Sequence, residues 1–127
     1  MNGGKAVLVA MLALTACLDD FHLSASNLDI GPNPAVPGDT LVASFLVSMI
    51  PVQRHTVIVT IDNAEYLRVT SNERPPIPYV ITLGDAADLI ATYGAGAHVA
   101  RVEVRAEEKG ESARTQSVSF ELQQPVP

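Results

Sequence analysis

Across most of the chain, apolar and polar residues alternate with a period of two, the pattern of half-buried β-strands. Phe21, Leu23 and Ala25 alternate with His22, Ser24 and Ser26, which predicts a first strand. Residues 31–39, Gly31-Pro32-Asn33-Pro34-Ala35-Val36-Pro37-Gly38-Asp39, then stop regular structure, because the prolines lack donors and the glycines loosen the backbone. The stretch reads as a crossover loop between sheets. Over residues 40–50, Leu41, Ala43, Phe45 and Val47 share one face, while Val42 and Leu46 make the other partly apolar. A strand apolar on both faces belongs in the interior of its sheet. Residues 51–55 close it. A third strand, 56–62, carries Val57, Val59 and Ile61 inward, and the turn chemistry of Asp62-Asn63-Ala64-Glu65 returns the chain into a fourth, 66–70.

Residues 72–78 form a loop, polar in Asn72-Glu73-Arg74 and stiff in Pro75-Pro76-Ile77-Pro78. Tyr79, Ile81 and Leu83 mark a fifth strand. The period then changes: Ala86, Leu89, Ile90 and Tyr93 fall at helical spacing. Asp85 and Asp88 stand in the first turn, where carboxylates suit the helix dipole, and Gly94 supplies a C-cap. The clearest strand is 97–107, with His98, Ala100, Val102, Val104 and Ala106 on one face and alternating charges on the other. Glu108-Lys109-Gly110-Glu111 makes a hairpin, and Gln116, Val118, Phe120 and Leu122 point inward along the last strand. The expected fold is all-β: an antiparallel sandwich of about seven strands with one short helical turn, over residues 21–122, followed by a flexible tail, 123–127.

The first residues follow a different rule. Lys5 precedes an unbroken apolar run, 6–14, and about nine apolar residues are too few to span a bilayer. The segment reads as a secretion signal that is removed. An ordinary signal-peptidase site wants small side chains at the third and first positions before the cut, and Leu14 is too large for the former. Leu14-Thr15-Ala16-Cys17 instead resembles a bacterial lipobox. The resemblance implies cleavage between Ala16 and Cys17, a diacylglycerol on the Cys17 sulfur, and usually a third acyl chain such as palmitate on its amine. Residues 1–16 are then the leader, and 17–20 the lipidated Cys with a short tether. Acyl chains at about 0.8 kcal/mol per buried CH₂ hold such a chain durably. Asp directly after the lipidated Cys favours inner-membrane retention in the best-known systems; Leu18 stands there, which favours the outer membrane in a host with two.

The domain resembles an immunoglobulin-like or fibronectin-III-like sandwich in its short strands, its proline-rich stretch after the first, and its helical turn before the penultimate strand. The Gly96-Ala97-His98-Val99-Ala100-Arg101-Val102-Glu103-Val104 strand is similar to the Gly-x-His/Tyr-x-x-x-Val strand of bacterial cell-surface Ig-like modules. It departs from antibody domains in lacking the Cys…Trp…Cys triad. That topology implies that the first strand begins at the end bearing loops 51–55, 72–78 and 108–113, so Cys17 holds this end to the membrane. Loops 32–39, 62–65 and 85–96 then face outward.

Charge and composition narrow the partners. The chain has 8 Lys+Arg against 14 Asp+Glu, and loss of Lys5 with the leader leaves 7 against 14. Nucleic acid and anionic membrane surfaces select clustered cations, so neither is an expected partner. Removal of 16 residues from 127 leaves 111, one domain with one modest core. Cys17 is the only cysteine, so no intramolecular disulfide forms although export leads to an oxidising compartment. Aromatics are 5% of residues and Trp is absent, a thin supply for a sugar groove.

Candidate chemistry is sparse. His22, His55 and His98 lack metal-ligand spacing. His98 reads as a corner residue whose ring bonds a loop carbonyl, and His22 and His55 as solvated. Asp19-Asp20 and Asp85…Asp88 fit a tether and a capped helix better than a calcium loop. No Gly-x-Ser-x-Gly elbow, His-Glu-x-x-His or phosphate-cradling loop is present, and Cys17 is not free to act as a nucleophile. The expectation is a non-enzymatic protein without cofactor or metal. Arg54, His55, Asn72, Glu73 and Arg74, on loops held by a rigid sandwich, are the candidate binding residues. The chain thus reads as a membrane-anchored cell-envelope lipoprotein whose sandwich binds an envelope protein or a ligand. The alternative is an accessory subunit packing through a sheet edge or the Val42, Leu46 and Val80 face. Carbohydrate binding or adhesion ranks below both.

Overall fold

The computed structural model describes residues 20–125. The leader, the Ala16/Cys17 cleavage position and the lipidation site Cys17 lie outside the described residues, as do the last two positions of the tail. The strands are β1 (His22–Gly31), β2 (Thr40–Ile50), β3 (His55–Ile61), β4 (Ala64–Ser71), β5 (Tyr79–Asp85), β6 (Gly96–Ala106), β7 (Glu111–Arg114) and β8 (Val118–Leu122), with one helix, α1 (Ala86–Tyr93). Antiparallel pairing arranges them in two sheets, β1-β2-β5 and β4-β3-β6, the latter extended beyond β6 by β7 and β8. Over the described residues this is an all-β antiparallel sandwich of eight strands with its fourth strand paired to the third.

The alternation places the core where it was expected. Leu41, Ala43, Phe45, Val47 and Met49 of β2 face Val57, Val59 and Ile61 of β3 and Ala100, Val102 and Val104 of β6 across the interior, all buried. The Phe45 and Tyr79 rings stack 5.0 Å apart between neighbouring strands. Each fully buried Val, Leu, Ile, Phe or Met side chain contributes about 1.5–3 kcal/mol by leaving water. Toward one side of the sandwich the sheets are stitched by Tyr66 of β4, whose hydroxyl donates to the Leu83 carbonyl of β5. Gly84 beside it has φ 132°, and a β-carbon there would meet the Tyr66 hydroxyl at 3.4 Å.

Four expectations are corrected. β1 does not end at Ser26: its pairing with β2 shifts between Ser26 and Asp29, and Asn27 takes φ 57°. This bulge reverses the alternation, so the half-buried side chains Phe21, Leu23 and Ala25 give way to buried Leu28 and Ile30. The proline-rich stretch does not cross between sheets, because β1 and β2 are neighbours in one sheet. It leans on the other sheet instead: the Ala35 amide donates to Glu121 O at 2.9 Å, and Gln123 N donates to Ala35 O at 2.8 Å. The Asp62-Asn63 turn needs only two central residues, both with positive φ (52° and 68°), so β4 begins at Ala64.

Lastly, the final strand is broken into β7 and β8. Thr115 stands at the break, buried, with its N–H donating to Val102 O at 2.9 Å and its Oγ1 accepting from Val102 N at 3.1 Å. This pairing consumes the β6 backbone at Val102 and turns Gln116 outward, exposed, against the expectation that it points inward. The helix matches its signals: Asp85 Oδ1 accepts from Ala87 N at 2.8 Å, and Gly94 N donates to Ile90 O at 2.7 Å.

Candidate functional site

β1 begins with His22 opposite Ile50, the last residue of β2. The chain therefore enters at the end of the sandwich that carries the β2–β3, β4–β5 and β6–β7 connections, while the β3–β4 turn, α1 and the end of β8 lie at the other. Arg54, Asn72, Glu73 and Arg74 are exposed at the entering end.

His55 is corrected: it is completely buried as the first residue of β3, not solvated. β3 is interior to its sheet, flanked by β4 and β6, and Ser71 and Ala106 pair with His55 on its two sides. The ring donates through Nδ1 to Gln53 O at 3.1 Å and stands edge-on to Tyr79, centroids 6.2 Å apart. Its Nε2 is buried without a protein partner among the described residues.

Gln53 is the residue at this end that sequence reasoning passed over. It is buried, and its Oε1 accepts from Glu108 N at 3.0 Å and Lys109 N at 3.2 Å, tying the β2–β3 loop to the β6–β7 turn. Glu107 N donates to Arg54 O at 3.0 Å in the same seam. No local pattern signals such a role, because the amides it satisfies lie more than fifty residues away.

The five nominated residues do not converge. Arg74 alone lines a groove of about 210 Å³ with Met49, Ile50, Val52, Pro75 and Ile77. Glu73 is held locally, its N–H donating to Ser71 Oγ at 3.0 Å. The groove is apolar apart from Arg74 and Ser48, and its rim is strongly exposed: Ile50 is 64% and Ile77 81% accessible. A second apolar area lies on the outer face of the three-stranded sheet, where Leu46 of β2 (37%) and Val80 of β5 (54%) are open to solvent.

His98 of β6 makes the densest polar node. Its Nε2 donates to the carbonyl of Gly94 at 2.8 Å and its Nδ1 to Asp62 Oδ2 at 2.6 Å, so the ring bonds a loop carbonyl as the corner reading expects. The carbonyl accepts only, as does the Asp62 carboxylate when ionised, so the arrangement favours the doubly protonated ring. Burial pulls its pKa down, but the bonds to Asp62 and Gly94 and the Asp62 charge outweigh this and hold it above the ordinary histidine value. The Val99 amide and His98 hold Asp62 below the ordinary carboxylate value. The Tyr93 and Phe120 rings stand about His98 at 6.0 and 5.9 Å and bury it, while Asp62 remains open to solvent. Among the described residues, no three His, Cys, Asp or Glu gather as a metal site, and no helix is long and apolar enough to cross a membrane.

Comparison with protein-family models, curated proteins and solved structures gave no match. The functional reading rests on the leader and on these surfaces.

Proposed function

We propose that the chain is a lipid-anchored lipoprotein of the bacterial cell envelope, held through Cys17, whose sandwich is a non-enzymatic module binding an envelope protein. The leader motif Leu14-Thr15-Ala16-Cys17 supports the anchor. The observation that carries the binding role is the uncovered apolar pair Leu46 and Val80 on adjacent strands of a rigid sheet. Both side chains leave water only if another surface covers them, and half-buried Val42 lies on the same face of β2 beyond Ser44. The pair lies on the side of the molecule, so a partner standing in or on the same membrane can reach it.

The test is photocrosslinking in intact cells from probes at Leu46 and Val80, with Asp88 on the exposed face of α1 as control. A discrete protein adduct from the first two and none from Asp88 is the expected result. Equal labelling from all three, or turnover of a substrate by the purified chain, overturns the reading. The accessory-subunit alternative rests on the same pair and differs in stoichiometry: a partner that co-purifies one to one through washing makes the chain a subunit rather than a transient binder.

A further inference from the structure

We infer that the loop tip formed by Ile50, Val52 and Ile77 seats in the lipid surface of the membrane that holds Cys17, with Arg74 at the headgroup level. The inference deepens the lipid-anchored reading and rests on it.

Three observations converge on this tip. The first is register: His22 pairs with Ile50, so the chain arrives from Cys17 beside the exposed isoleucine. Cys17 and His22 are five positions apart, and five residues reach at most about 18 Å when fully extended. The acylated residue lies in the bilayer surface, so this end of the sandwich cannot stand much farther from the headgroups than that.

The second observation is chemistry. Ile50 (64% exposed) and Ile77 (81%) are the most accessible large apolar side chains of the described residues, and they come from different loops to rim one groove. Val52 and buried Pro75 continue it inward. Amphipathic elements bury their apolar side chains about 5–10 Å into the boundary between headgroups and acyl chains. Arg74 on the same rim has a long apolar stem and a charged head, which suits it to lie along lipid while its guanidinium meets phosphate.

The third is charge balance. Arg54, Arg74 and Lys109 at this end stand among Asp20, Glu73, Glu107, Glu108 and Glu111. An acidic surround disfavours anionic lipid, so contact through apolar side chains on zwitterionic lipid is the mode that fits.

The experiment uses the full chain purified from membranes and reconstituted in phosphatidylcholine vesicles, with one spin label at Ile77→Cys or Asn63→Cys. The Cys17 sulfur carries its lipid, so only the introduced thiol reacts. The Ile77 label is expected to be several-fold less accessible to an aqueous nickel complex, and more accessible to oxygen, than the Asn63 label at the far turn. Ile50→Asp should raise nickel access at Ile77 and leave Asn63 unchanged; both isoleucines are exposed, so neither change disturbs the core. Equal access at the two labels on a chain whose intact mass includes the acyl groups overturns the membrane contact and leaves the anchor standing. A mass without acyl groups overturns both. A photoprobe at Ile77 that captures a protein rather than lipid in cells also overturns the contact.

Discussion

His98 fastens three separate pieces of chain, the end of α1 through Gly94, the β3–β4 turn through Asp62, and its own strand. Replacing it with Ala should cost about 1–3 kcal/mol, from lost packing and two lost hydrogen bonds to groups that water can partly reach, read as a lowered denaturation midpoint. The pH dependence follows from its sign. The folded pKa of His98 is raised, so its contribution is complete below the unfolded value of about 6.5 and fades as pH climbs through the folded value. Asp62 is depressed, so its contribution is complete above the unfolded value and fades as pH falls through the folded one. Stability should therefore peak between them, and Asp62→Asn should flatten both flanks in a denaturant series across pH. The corner role of His98 was legible because a His on an otherwise apolar alternating face, four residues after a helix-ending Gly, has a loop carbonyl within reach. Gln53 was not legible, since its value lies in two amides of a distant turn. Gln53→Ala should cost about 1–3 kcal/mol by stranding the Glu108 and Lys109 donors, measured by the same denaturation.

At the scale of elements, local chemistry and long-range pairing separate cleanly. The cap at Asp85 could be read from sequence and acts locally, accepting from Ala87 N; it also receives the Gly38 amide at 3.4 Å from the proline-rich loop. Asp85→Ala should lower stability by about 1–2 kcal/mol, visible as a shift in thermal midpoint. Strand interiors were readable wherever the period of two ran unbroken, as over β2, β5 and β6. They were misread where one residue changes the phase. Asn27 does so in β1 by taking a left-handed conformation that Asn tolerates, and Thr115 does so by giving both backbone and hydroxyl to Val102. A period count sees only the apolar residues on either side of such a position and cannot locate the extra one. Asn27→Val puts a β-branched side chain at φ 57° and should cost about 1–2 kcal/mol, whereas Asn27→Gly should be nearly neutral. If the two variants unfold alike in denaturant, the bulge is not what sets the β1 phase.

At the scale of the molecule, the question is what holds it where it acts. The register of β1 gathers the nominated loop residues at the entering end, but only Arg74 joins a groove there, while the uncovered Leu46 and Val80 lie on the flank. Under the proposed anchoring, the tip and the flank have different tasks: one meets lipid, the other is free for a protein. The two contributions to membrane attachment differ greatly in size. A single acyl chain gives marginal binding and two or three give durable binding, at about 0.8 kcal/mol per buried CH₂. A few isoleucine and valine side chains at the tip supply at most the equivalent of one short chain, and the acidic surround opposes even that on anionic lipid. The tip can therefore orient the domain and cannot retain it. Cys17→Ala should move the chain from the detergent-rich to the aqueous phase on fractionation although the tip is intact, whereas Ile77→Asp should leave it in the detergent-rich phase. Retention in membranes washed with high salt of a Cys17→Ala chain whose intact mass shows the leader removed would mean that the apolar surfaces, and not the acyl chains, carry the attachment, and the order of the two contributions would have to be reversed.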